Sequence, residues 1–259
     1  MIGLWGPPAP SRPRSAVARW GAGDQRWLAA GFELVLVARS EPNLLTFQEH
    51  LAARHDTTSH VLPADLATEA GVRALLRATK DLDVGLYAAA AGLGTSGRFL
   101  DADTAVEVEM LRLNCEPVTV TALEVGRRMA NRGRGGMLLM SSLVGFQGMP
   151  NAAHYAATKA YVQTLAEALH VELGPLGVDV PAVAPGPTHS GFADRAGMRM
   201  GHALDADTVA RAALTSLVRR PDRPSWAAQQ GLRAALLPLP RPARVRAMGA
   251  VMGRMTAHR

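Results

Sequence analysis

Tyr155 and Lys159 lie four residues apart in AHYAATKAYVQTLAEALHVEL, a segment with helical periodicity and no internal breaker. Side chains at that spacing share one face of a helix, one turn apart, so a phenol and an ammonium become neighbours. A free tyrosine, with a pKa of about 10, carries protons poorly at neutral pH. An adjacent cation lowers that value by roughly 1 to 3 units, toward the range where a proton moves both ways. Ser142, thirteen residues ahead of the tyrosine, adds a second hydroxyl. Together these groups suit proton transfer at a substrate oxygen. Ser-His-Asp hydrolysis is not supported, because the chain has no Gly-x-Ser-x-Gly elbow, and His154 is turned about 100° away from the tyrosine around the helix.

A strand and a helix must deliver these residues. Ser142 ends the run GGMLLMSS, whose apolar stretch 137–140 suits a buried strand, and open α/β sheets bind ligands beyond the carboxyl ends of their strands. Ser141, one residue earlier, should point to the opposite face.

At these residues the sequence resembles the short-chain dehydrogenase/reductase family, whose signature is a Tyr-x-x-x-Lys helix, a Ser about thirteen residues upstream and an Asn on the preceding helix. Asn114, 28 residues before Ser142, matches that Asn, and the likeness runs from about residue 32 to 196. It implies a Rossmann-type, doubly wound parallel sheet of about seven strands, the first and last least defined, with helices on both faces. It also implies hydride transfer between a nicotinamide and a carbonyl or alcohol carbon. In that role Tyr155 gives the substrate oxygen its proton and Ser142 hydrogen-bonds the same oxygen. Lys159 lowers the tyrosine pKa and reaches the nicotinamide ribose, and Asn114 holds a water in a relay from the lysine.

Taken in order, FELVLVA (32–38) reads as a buried strand followed by Arg39. In the family an acid at that point binds the ribose hydroxyls of NAD, whereas Arg accommodates the 2′-phosphate of NADP, so the resemblance implies NADP(H), with NAD(H) as the second choice. Residues 41–54 read as a helix and 60–64 as a strand. Asp65, at its end, resembles the adenine-contacting acid of the family and could also cap the next helix. Residues 84–92 form the fourth strand, where Ala89, Ala90, Ala91 and Gly92 stand in for the family's Asn-Asn-Ala-Gly; Ala91 and Gly92 keep close approach to the cofactor open, but the bracing Asn is missing. A long helix (about 102–131) precedes the catalytic unit. The sixth strand (177–185) contains Pro181, which a central strand tolerates poorly. Pro185, Gly186 and Thr188 match the family turn that faces the nicotinamide carboxamide. Residues 189–204 resemble its substrate lid, and 206–220 read as an amphipathic helix. The apolar side chains of Leu93, Phe146, Met149, Phe192 and Met198 are expected around the substrate, favouring a lipophilic carbonyl or acyl chain.

The two ends of the chain depart from this regularity. Residues 1–27 hold four Pro, four Arg and three of the four Trp, and counting back from Gly31 places the family's glycine positions on Arg14, Ala18 and Trp20. The segment is therefore expected to replace the usual first strand and Gly-rich turn. It is either an altered phosphate loop or a stretch that is not the natural one; the abrupt onset of the pattern at Leu28 favours the latter. Residues 28–228 form the Rossmann domain, with a weak last strand near 223–228, and 229–259 form a basic extension. That extension could cover the site, make a dimer surface or lie on a membrane.

The length of 259 residues suits a single domain, and 48% hydrophobic with 19% charged residues excludes a disordered chain. With Cys115 as the single cysteine, no internal disulfide can form. The absence of a long apolar run or an apolar leader gives a cytoplasmic expectation. Net charge is +6, concentrated in residues 217–259, where nine Arg face one Asp. That tail reads most simply as a solvated helical face, with peripheral membrane contact as the alternative; nothing resembles a nucleic-acid-binding motif, and no metal site is expected. The partners expected are a small carbonyl or alcohol substrate and, by family analogy, a second copy in a homodimer or homotetramer. A fold-retaining protein without cofactor, acting as a scaffold, is the competing reading.

Overall fold

A computed structural model describes residues 14–18, 32–54, 58–189, 192–198, 203–217 and 238–256. Among these residues seven parallel strands are ordered β3-β2-β1-β4-β5-β6, with β7 also pairing β5. They are β1 (Arg14–Ala18), β2 (Phe32–Ala38), β3 (Ser59–Pro63), β4 (Val84–Ala89), β5 (Gly135–Met140), β6 (Val178–Asp179) and β7 (Ala182–Val183). The order reverses between β1 and β4, and in open α/β sheets the ligand crevice lies outside the strand ends at such a point.

The strands alternate side chains between two buried faces, as a covered parallel sheet requires. Val35 and Val37 join Val84, Tyr87, Met137 and Leu139 beneath helices α2 (Glu69–Ala78), α3 (Thr104–Arg132) and α4 (Ala153–Leu173). On the other face, Leu34 and Leu36 join Leu86 and Leu138 beneath α1 (Glu41–Ala52) and α6 (Ala206–Ser216). Helix starts follow side-chain caps: Thr68 accepts from Gly71 N and Asp205 from Thr208 N. Two further helices, α5 (Phe192–Ala196) and α7 (Arg241–Thr256), pack near Tyr155.

Three expectations change. Arg14 and Ala18, counted as glycine positions of a turn, are strand residues: Arg14 pairs with Phe32, and Ala18 pairs with both Leu36 and Ala88. Segment 1–27 thus supplies a strand in the first-strand position, and any turn that follows begins after Ala18, outside the described residues. The sixth strand is split in two, because Pro181 has no N–H to donate; its carbonyl still accepts from Leu139 N at 3.2 Å. Asp65 does not cap α2, since Thr68 does. Instead its Oδ1 accepts from Ala67 N at 3.0 Å and shapes the turn before that helix. The expected strand at 223–228 lies outside the described residues.

Candidate active site

Strand β5 carries Ser141 and Ser142 to the carboxyl edge of the sheet, and they diverge there. Ser141 is buried, and its Oγ donates to the Lys159 carbonyl at 2.9 Å, fastening α4 to the strand. Ser142 lies beside Tyr155, where its hydroxyl acts to lower the phenol's pKa; its Oγ also lies 3.5 Å from the Pro185 carbonyl. The anchoring role of Ser141 needed the helix in place to be seen.

Lys159 is buried at 5% exposure. Its Nζ donates to the Met140 carbonyl at 2.9 Å and lies 5.9 Å from the centre of the Tyr155 ring. Burial pulls its pKa down to about 8, with the nearby Cys115 thiol acting in the opposite sense.

The tyrosine corrects an expectation. Instead of falling below its ordinary value, its pKa is pushed up to about 12, because burial outweighs the lowering effect of the Ser142 hydrogen bond. Tyr155 is only 7% exposed, and Phe192 covers its ring with centroids 5.3 Å apart. In this closed arrangement it is a neutral proton donor held against a serine.

Asn114 is fixed by three contacts to protein atoms. Its Oδ1 accepts from Leu93 N, and its Nδ2 donates to the Leu93 carbonyl and to Thr158 Oγ1, each at 2.9 Å. The side chain braces the backbone just after β4, the task for which the alanines at Ala89 and Ala90 have no side chain. A Cβ on Gly92 would lie 3.3 Å from Asn114 Oδ1 and 3.4 Å from Lys159 Nζ, so Gly92, Asn114 and Lys159 meet around one small space.

Around the carboxyl ends of β2 and β4 a small apolar cleft is lined by Val37, Leu66, Tyr87, Ala90, Ala91 and Leu113. Asp65 and Arg39 stand just past the neighbouring strands β3 and β2. Arg39, half-exposed, pairs with Glu109 on α3 at 3.4 Å, a partner that sequence distance concealed. Thr188 Oγ1 donates to the Gly186 carbonyl at 3.0 Å, and Leu204 pairs with the 187–189 strip, drawing together the two ends of the lid segment. Its helix α5 is tied down by Ser96, whose Oγ donates to the Ala196 carbonyl at 2.7 Å. The substrate-side residues Leu93, Met149, Phe192 and Met198 come together around Tyr155, whereas Phe146 is not part of that cluster. His154 pairs with Glu107 at 2.6 Å.

These features define a hydroxyl pair backed by a buried ammonium at the carboxyl edge of a doubly wound sheet. The model of the short chain dehydrogenase family matches residues 24–199, and the chain belongs to that family. It is similar to a 7beta-hydroxysteroid dehydrogenase of Clostridium sardiniense, 32% identical over 61% of this chain and 60% of that one. It also resembles a very-long-chain 3-oxoacyl-CoA reductase-like protein of Arabidopsis thaliana, 32% identical over 60% and 51%. The chain thus spans between half and three fifths of these relatives. Among solved structures, a short-chain dehydrogenase from Sphingobium yanoikuyae in complex with NADPH superposes with a TM-score of 0.75 at 28% identity, covering 89% of this chain and 97% of that one. A bulky-bulky ketone specific alcohol dehydrogenase from Comamonas testosteroni gives 0.71 at 28%, covering 89% and 96%.

Proposed function

We propose that this chain is an NADP(H)-dependent oxidoreductase acting between a carbonyl and an alcohol on a lipophilic substrate. The observation that carries the reading is the Tyr155 hydroxyl beside Ser142, backed by the buried Lys159. The nicotinamide, when bound, supplies or receives the hydride. In the reductive direction Tyr155 releases its proton to the oxygen that gains charge, and Ser142 donates a hydrogen bond to the same oxygen. Lys159, with its three donors, offsets the charge left on the phenolate and has donors to spare for ribose hydroxyls. The cleft that ends at Ala90 and Ala91 would hold the adenine and Asp65 its amino edge. Gly92, Pro185, Gly186 and Thr188 would border the nicotinamide, and Arg39 would meet a 2′-phosphate once it leaves Glu109. NAD(H), lacking that phosphate, is the weaker choice.

Lipophilicity is supported by the apolar cluster around Tyr155 and by the steroid, very-long-chain acyl and bulky-ketone names of the similar proteins. We place the enzyme in the cytoplasm as a homodimer or homotetramer. No helix among the described residues is long and apolar enough to cross a membrane. For surface contact, the basic tail would have to work through the outer face of α7, because Met248 and Met252 are turned inward. The alternative, a scaffold without cofactor, is favoured by the alanines at Ala89 and Ala90. Titration with NADPH and NADH, followed by cofactor fluorescence, separates the two readings. Saturable binding with NADPH preferred is expected; a folded chain that binds neither nucleotide is a scaffold.

A further inference from the structure

Helix α7 lies outside the stretch matched by the family model, yet it is seated beside the catalytic tyrosine. Val245, Met248, Gly249 and Met252 follow the three-and-four spacing of one helical face. Met248 and Met252 are 6% and 4% exposed and belong to the same cluster as Tyr155, Met149 and Met198, with Phe192 packed against it. The fit is close: a Cβ on Gly249 would come within 2.9 Å of the Pro150 ring, and one on Gly148 would lie 3.6 Å from Val245. Loop 147–152, on which the helix rests, leads directly into the turn that carries Tyr155. Six of the chain's 11 methionines (Met110, Met149, Met198, Met248, Met252 and Met255) gather here.

Because Tyr155 is almost wholly covered, a carbonyl oxygen can reach its hydroxyl only if neighbouring apolar side chains move aside. Helix α7 runs 16 residues and is pressed onto the loop. It therefore provides a standing wall beside Tyr155. Unbranched thioether side chains re-shape around an irregular apolar body at low cost, so a standing wall of methionine selects by bulk.

We infer that Met248 and Met252 of α7 are specificity-determining residues, forming the wall against which the larger apolar group of a ketone or secondary alcohol packs. The inference rests on the oxidoreductase reading above. Its test uses the full chain with NADPH present and two probe ketones, butan-2-one and the bicyclic 1-decalone. In protein labelled with 13C at the methionine methyls, the Met248 and Met252 signals, assigned through Met248→Leu and Met252→Leu, shift saturably with 1-decalone and not with butan-2-one. In the Met248→Ala/Met252→Ala variant the kcat/KM ratio of 1-decalone to butan-2-one rises at least about tenfold, the scale of a changed hydrophobic pocket. NADPH affinity stays unchanged, and the double Leu variant keeps the native ratio. If the Met149 and Met198 methyls respond while Met248 and Met252 stay still, the inference is overturned and the oxidoreductase reading stands. If NADPH binds but no methyl responds and neither ketone turns over, both fail. The titration needs only the native chain and two conservative variants, so it decides the matter even if the alanine variant does not fold.

Discussion

The two ends of the sheet treat their cations in opposite ways: the amino-end arginines are partly exposed and paired, whereas Lys159 is buried. At the amino end, Arg132 and Arg134 converge on Asp83, which is 18% exposed, at 3.2 and 2.5 Å. Arg132 also donates to the Val84 carbonyl at 2.7 Å, and Arg128 donates to the carbonyl of buried Thr79. The Arg132 Nε and Asp83 Oδ1 are close but misaligned for a hydrogen bond, so that contact is Coulombic. At the carboxyl end, Lys159 has, among the described residues, no carboxylate partner, only the Met140 carbonyl. A buried charge with a counter-ion is structural, because removing one partner leaves the other stranded. A buried charge without one carries a lowered pKa and stays available to respond when charge develops beside it, the pattern expected of a functional group.

The largest test of this contrast is at the tyrosine. Tyr155→Phe is expected to lower kcat by at least about 10²-fold, the scale of a positioned acid, with NADPH affinity retained in a fluorescence titration; unchanged turnover would remove the proton-donor role. At the opposite end, Asp83→Asn should cost about 1–3 kcal/mol in urea unfolding, since it leaves two guanidinium groups facing an uncharged amide, while kcat per folded molecule stays the same. A matching fall in kcat would mean that the two ends are coupled.

The lysine has a signature in pH. Its folded pKa of about 8 lies below its ordinary value of 10.5, so between those values the unfolded chain holds a proton that the folded chain has released. Stability then rises with pH through that window. Tyr87 and Tyr155, both pushed up to about 12 by burial, act in the opposite sense above about pH 10, so the window to read is pH 8 to 10. The Tm of the native chain relative to Lys159→Met should climb there, and a flat difference would show that the ammonium is not buried in solution. Smallest is Thr79→Val, which removes a hydroxyl bonded to Leu75 O and Arg128. A loss of about 1 kcal/mol is expected, read as a shift of roughly 2–4 °C in Tm.

Much of this was open to a reader of the chain because it is local. Helix α4 ends at Leu173, where Gly174 and Pro175 stop it, a signal local in the chain. The spacing of Tyr155 to Lys159 needs only the helical repeat, and the opposite facing of Ser141 and Ser142 needs only the pleat. The first strand escaped notice because RSAVA is short and carries a charge. What places it in the sheet is pairing with β2 and β4 on both sides, not a pattern of its own.

Residue types, their order and their periods were enough to anticipate the layered sheet and the placing of Ser142, Tyr155 and Lys159 at its carboxyl edge. The tertiary structure alone decided how those groups behave. Burial by Phe192 and the methionines reverses the expected direction of the Tyr155 pKa, and Asn114 is tied to Leu93 and Thr158. Arg39 finds Glu109 seventy residues away, and α7 comes to rest on the loop before Tyr155. These are properties of desolvation and of contacts between distant segments, which exist only once the chain has closed on itself.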